Sequence, residues 1–104
     1  MQVAHDTKIK EKIDAQFKGT KINTTEGRPV LHTALRMSRY ESLEVDGKDV
    51  VEEVHKVQER IQNFSQAIRS GDITGYTGKK LVNIVAVGIG GSFLGPEFVY
   101  EALR

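Results

Sequence analysis

The chain has 104 residues, of which 38% are hydrophobic and 28% are charged, a composition typical of globular proteins rather than of disordered chains. Fifteen basic and fourteen acidic residues leave a formal charge of +1, and no block of like charge favours nucleic acid or a membrane surface as a partner. The absence of cysteine excludes disulfides, and because no signal peptide or membrane-spanning run is present we expect a soluble, cytoplasmic protein.

The first third of the sequence predicts two helices. Apolar residues spaced four apart indicate an amphipathic helix over residues 8–17. A second helix is expected to begin at a cap formed by Thr24 or Thr25, with Pro29 in its first turn. Residues 43–45 are then predicted to form a short extended piece.

Residues 48–70 carry the strongest helix pattern in the chain. Apolar residues recur in alternating steps of four and three and form one stripe: Val50, Val54, Val57, Ile61, Phe64 and Ile68. Asp49 and Glu52 resemble a capping box, and Gly71 follows the last predicted turn. The heptad-like spacing lasts fewer than three repeats, so it favours a packed core helix over a coiled coil. We assign residues 1–70 to a helical N-terminal segment.

The next element is predicted to be a strand, a glycine-rich turn and a helix. Residues 84–87 are continuously apolar, which is typical of a parallel strand buried on both faces. Four glycines and a serine follow within eight positions: Gly88, Gly90, Gly91, Ser92 and Gly95. Pro96 is then expected in the first turn of a helix.

A turn of this kind suits a bound anion. Glycines allow close approach to the backbone, and the following helix directs free N–H groups and its positive dipole end at the turn. Ser92 adds a hydroxyl donor, although a tight connection with Ser92 as an ordinary N-cap fits the same pattern. A dinucleotide-binding motif is excluded because it needs Gly or Ala where Phe93 stands, and a P-loop is excluded by Ile73 and Lys80.

The remaining polar residues predict neither a catalytic group nor a metal site. The three histidines are far apart in sequence and lack the spacing of metal ligands. Glu97 and Glu101 share one helix face, where a solvated acidic surface is the favoured interpretation. Lys79 and Lys80 are interpreted as part of an exposed turn.

Five segments together resemble the glucose-6-phosphate isomerase (phosphoglucose isomerase) family. The central segment is VGIGGSFLGP from Val87, followed by FVYEAL from Phe98. In the same order along the chain, INTTEGRPVLHTALR starts at Ile22, VDGKDVVEEV at Val45 and IRSGDITGYTGK at Ile68. Phe93 is similar to the variant of plant-type cytosolic members, where many others have Asp.

The resemblance implies an enzyme that interconverts glucose 6-phosphate and fructose 6-phosphate in glycolysis and gluconeogenesis. In this family a carboxylate base moves a proton between C1 and C2 through an enediol, without metal or organic cofactor. The family fold is α/β, with two sugar-isomerase (SIS) domains, each an α/β sandwich on a parallel sheet, in a homodimer. Residues 71–104 are accordingly expected to be the incomplete start of a SIS domain, and the chain an N-terminal fragment.

Carried over by position, Gly91 and Ser92 match the substrate-binding Gly-Ser pair of the family, and Gly90 shapes the turn. Ser92 is expected to contact the sugar phosphate. No catalytic residue of the family falls within this chain, so the isolated chain is expected to be inactive. A non-catalytic SIS domain that binds a sugar phosphate for regulation is the main alternative; a dinucleotide-binding domain and a helical interaction module rank below it.

Overall fold

The computed structural model describes residues 2–104 and contains helices together with one small sheet. In chain order the elements are helix α1 (Gln2–Asp6), helix α2 (Ile9–Phe17), a 3₁₀ helix (His32–Arg36), strands β1 (Glu44–Val45) and β2 (Lys48–Asp49), helix α3 (Val50–Ser70) and helix α4 (Gly91–Leu103). This mixture is compatible with the α/β class. The chain divides into two compact units after Phe64, within α3.

The first unit is organised around three buried apolar residues. Ala34 comes from the 3₁₀ helix, Leu43 precedes β1, and Val51 lies in the first turn of α3. Five half-buried residues pack against them: Leu31, Met37, Val45, Val50 and Val54. The 3₁₀ helix, the segment before β1 and the first turn of α3 therefore each contribute one residue to the same small core.

A tight hairpin brings α3 to this core. Strands β1 and β2 pair antiparallel, with Glu44 opposite Asp49 and Val45 opposite Lys48. The two connecting residues, Asp46 and Gly47, have φ values of 51° and 77°. Two consecutive positive φ values define the type I′ turn that two-residue hairpins prefer. The extended piece predicted at residues 43–45 is thus confirmed, and its partner strand was missed.

Asp49 caps α3 as its sequence pattern predicts. Its Oδ1 atom accepts the backbone N–H groups of Val51 at 2.9 Å and Glu52 at 3.4 Å, and that of Leu43 at 3.3 Å. The helix begins at Val50 rather than Lys48, because Lys48 and Asp49 pair with β1. The hydroxyl of Ser42 and these backbone donors lower the pKa of Asp49.

Replacing Asp49 with Ala is expected to lower the Tm of the first unit by roughly 4–8 °C, because an N-cap and a hairpin contact are lost together. Asp49→Asn keeps the acceptor oxygen and is the matched control, for which a smaller loss of Tm is expected.

Since the pKa of Asp49 is lower in the folded chain than in the unfolded chain, its charge stabilises the fold at neutral pH. That contribution is lost as the pH falls below about 4. The measurement is thermal unfolding of the unmodified chain and of Asp49→Asn between pH 3 and 7. If the Tm of both fell equally as the pH is lowered, the stabilising role of the Asp49 charge would be contradicted.

In the first third of the chain the structure confirms one predicted helix, adds one that was not predicted and contradicts another. Helix α2 is confirmed at Ile9–Phe17, but α1 was not predicted. The helix expected from Thr24 or Thr25 is wrong, since Asn23 and Arg28 form an antiparallel bridge around a turn there. Asn23 Oδ1 accepts the N–H of Glu26 at 3.2 Å, a local bond that competes with helix formation. Only the short 3₁₀ helix follows.

The apolar stripe of α3 is exposed in its middle, whereas Val50 and Val54 near its N-terminal end and Ile68 near its C-terminal end are half-buried. Val50 and Val54 pack against the core, as predicted for a core helix. Val57, Ile61 and Phe64 are exposed by 49%, 63% and 61%, so the prediction of a fully packed stripe is wrong for the described residues. Hydrophobic spacing locates the face of a helix, but burial also requires an element that packs against it.

The second unit continues from the end of α3 through a tight turn. Gly71 ends the helix with a φ of 91°, as its position predicts. The N–H of Gly75 donates to the carbonyl of Lys79 at 2.9 Å, and Thr74 and Lys80 form an antiparallel bridge. The turn predicted for residues 71–80 is therefore confirmed.

The strand predicted at residues 84–87 does not form among residues 2–104. Ile84 and Val87 are exposed by 93% and 94%, and no described segment pairs with them. A parallel strand exists only when neighbouring strands accept and donate its backbone hydrogen bonds. The assignment of residues 71–104 to a SIS domain remains a prediction. Among residues 2–104, no helix is both long and apolar enough to cross a membrane.

Candidate functional site

The glycine-rich segment forms a defined turn directly before α4. The N–H of Ser92 donates to the carbonyl of Ile89 at 3.2 Å, which closes a four-residue β-turn. Gly90, its second residue, has φ 57° and ψ −122°, the values of that position in a type II′ turn. These angles are readily adopted only by glycine. The predicted turn is confirmed, and Gly90 shapes it.

Helix α4 begins earlier than its proline suggests. Gly90 is the N-cap residue, and its carbonyl accepts the N–H groups of Phe93 and Leu94 at 3.0 Å each. Pro96 lies inside the helix rather than in its first turn, which corrects the prediction. Because proline has no N–H, the carbonyl of Ser92 receives no hydrogen bond from the residue four positions on.

The start of α4 offers donors to an anion. Within residues 2–104, the N–H groups of Gly90 and Gly91 have no backbone hydrogen-bond partner. The positive end of the helix dipole lies at the same place, and the first turn carries no acidic residue. These are the elementary requirements for phosphate binding at a helix N-terminus.

Ser92 is not the N-cap, so the alternative interpretation of this serine is wrong. It is the second residue of α4, and it is exposed. Its hydroxyl forms no hydrogen bond with any of residues 2–104, which are the residues the structure describes. The hydroxyl is therefore available to a ligand, next to the free N–H groups of Gly90 and Gly91.

The glycines of the segment differ in what a side chain would meet. A Cβ atom added to Gly91 or Gly95 would have no atom within 4 Å, and neither residue has a positive φ. The chain itself therefore does not require glycine at position 91, whereas close approach of a ligand would. A Cβ added to Gly88 would lie 3.2 Å from both Cβ and O of Ser92.

Other polar side chains are held by local contacts. Nε2 of His32 lies 3.2 Å from Nε2 of Gln16, and Nε2 of His55 lies 3.2 Å from the carbonyl of Met37. A charged depression of about 400 Å³ on the first unit is lined by paired groups, including Lys56 and Glu52 at 2.7 Å. In the described part of the chain, no group of three or more His, Asp or Glu side chains is arranged to hold a metal.

Comparison with known proteins gives one consistent family. A family model described as phosphoglucose isomerase matches residues 1–104. The glucose-6-phosphate isomerase of Deinococcus radiodurans is 56% identical over 103 residues, which are 99% of this chain and 19% of the relative. That of Nitrosospira multiformis is 54% identical over 104 residues, 100% of the chain and 19% of the relative. The cytosolic glucose-6-phosphate isomerase of Zea mays is 54% identical over 104 residues, 100% of the chain and 18% of the relative.

Proposed function

The chain belongs to the phosphoglucose isomerase family, and we propose that it forms part of an enzyme that interconverts glucose 6-phosphate and fructose 6-phosphate. The observation that carries this proposal is identity above 50% along the whole chain with relatives named glucose-6-phosphate isomerase. The chain spans only about a fifth of the length of those relatives, so the activity belongs to the complete enzyme.

We propose that the start of α4 binds the phosphate end of the sugar. The N–H groups of Gly90 and Gly91 and the hydroxyl of Ser92 are free and adjacent, which suits a phosphate dianion with several acceptor oxygens. The open space beside Gly91 lets the substrate come close to the backbone. The residues of this chain therefore bind and orient the substrate.

In the proposed reaction, a carboxylate removes the proton from C2 of the open-chain aldose and C1 receives a proton, through an enediol. C2 loses its hydrogen and its hydroxyl loses a proton, while C1 gains one hydrogen and its oxygen gains one proton, so the isomerisation balances without an external oxidant or reductant. No residue of this chain is assigned to the base. Fixing the phosphate holds C1 and C2 at a constant distance from that base, which is how binding residues contribute to rate.

The wider setting follows from the same proposal. Residues 71–104 would begin a SIS-type α/β domain, in which neighbouring strands cover residues 84–87. The complete enzyme would be a homodimer acting in glycolysis and gluconeogenesis. A cytoplasmic location is supported by relatives from maize, rice and spinach whose names include the word cytosolic.

A coupled assay of glucose 6-phosphate formation from fructose 6-phosphate tests this function. The complete enzyme is expected to turn over, and the 104-residue chain alone is expected to show no activity. If the complete protein bound sugar phosphates without converting them, the isomerase proposal would fail and the regulatory alternative would replace it. Turnover by the isolated chain would contradict the assignment of the catalytic base to residues outside it.

A further inference from the structure

We propose that Gly88 is a positioning residue that sets the location of the Ser92 hydroxyl for the sugar phosphate. The inference rests on the proposed role of Ser92 in binding and adds a residue that makes no contact with substrate. Gly88 acts because it has no side chain, which lets the backbone before the turn lie directly against Ser92.

The evidence is the space around Gly88. A Cβ atom at this position would lie 3.2 Å from the Cβ atom of Ser92, 3.2 Å from its carbonyl oxygen and 3.3 Å from its carbonyl carbon. Contacts of this length are shorter than ordinary van der Waals separations, so one of the two residues would move by a few tenths of an ångström. All three contacted atoms belong to Ser92.

Conformation does not explain this glycine. Gly90 has a positive φ and is required by the type II′ turn, whereas Gly88 does not lie in the left-handed region. A Cβ at Gly91 or Gly95 would meet nothing. Among the glycines of this segment, Gly88 is the one whose missing side chain makes room for the proposed binding residue.

A displacement of Ser92 would also displace the atom to which its hydroxyl is attached. The contacted Cβ atom carries Oγ, so a shift of Cβ moves the centre about which the hydroxyl rotates. The N–H of Ser92 is also bonded to the carbonyl of Ile89, within the turn that presents Gly90 and Gly91. Moving Ser92 therefore changes the hydroxyl relative to the neighbouring donors.

In the complete enzyme, Gly88→Ala is expected to raise KM for fructose 6-phosphate by about three- to tenfold, with a smaller change in kcat. Misplacing a substrate-positioning group by 1 Å lowers catalytic efficiency on the order of a hundredfold, and the displacement expected for Ser92 is a few tenths of that distance. Gly95→Ala is the matched control, because it makes the same substitution in the same segment where a Cβ meets no atom. Its KM is expected to stay unchanged.

A double-mutant cycle separates positioning from general destabilisation. If Gly88 acts through the hydroxyl, Gly88→Ala should add little to the KM of Ser92→Ala, because the group it positions is already absent. Additive effects on KM, an unchanged KM for Gly88→Ala alone, or failure of that variant to fold would each overturn the inference. An unchanged KM for Ser92→Ala alone would instead refute the proposed binding role of the turn.

Discussion

Replacing Ser92 with Ala in the complete enzyme is expected to raise KM for fructose 6-phosphate by about ten- to a hundredfold. A hydrogen bond to a charged group contributes roughly 1.5–3 kcal/mol, and about 1.4 kcal/mol corresponds to a factor of ten. The hydroxyl forms no hydrogen bond with residues 2–104, so its removal costs no internal contact among them. The loss should therefore appear in binding and not in the Tm.

The measurement is steady-state kinetics together with the affinity of a competitive sugar-phosphate inhibitor. Ser65→Ala is the matched control, since Ser65 is also exposed and lies in a helix, outside the proposed site. Its KM should equal that of the unmodified enzyme. If Ser92→Ala left both KM and inhibitor affinity unchanged, the turn before α4 would not be the phosphate site.

Elements that depend on neighbouring residues in the sequence could be predicted. Asp49 and Gly71 delimit α3 through hydrogen bonds and a backbone conformation within a few residues of each helix end. The same reasoning failed around Thr24, because the side chain of Asn23 stabilises a turn that competes with the helix. Whether residues 84–87 form a strand depends on pairing with segments that are distant in sequence, and the pattern of these four residues alone does not reveal such partners.

For the candidate site, the local turn was predictable from the sequence, but the role of each glycine was not. The clustered glycines predicted a turn before a helix, and the structure has one. The sequence could not tell which glycine serves which purpose, because that depends on angles and distances. Gly90 has a positive φ that favours glycine, a Cβ at Gly88 would crowd Ser92 at 3.2 Å, and neither reason applies to Gly91. The space beside Gly91 is therefore open within residues 2–104, as the proposed phosphate site requires.

The second large effect is expected from the core: Leu43→Ala should destabilise the first unit by about 2–3 kcal/mol. Leu43 is 8% exposed and is one of three buried hydrophobic residues among residues 2–104. Deleting a buried leucine side chain costs roughly 2–5 kcal/mol, and the lower part of that range applies where a small core can collapse around the gap. Chemical denaturation followed by circular dichroism measures the loss.

Leu103→Ala is the matched control, because it removes the same atoms from a side chain that is 80% exposed. Its effect on the free energy of unfolding should stay within about 0.5 kcal/mol.

Ile61→Ala distinguishes the two descriptions of α3. The apolar stripe alone predicts a core-sized loss, whereas an exposure of 63% predicts a small one in this chain. Equal losses for Leu43→Ala and Ile61→Ala would show that the core extends along the whole stripe and does not stop near Val54.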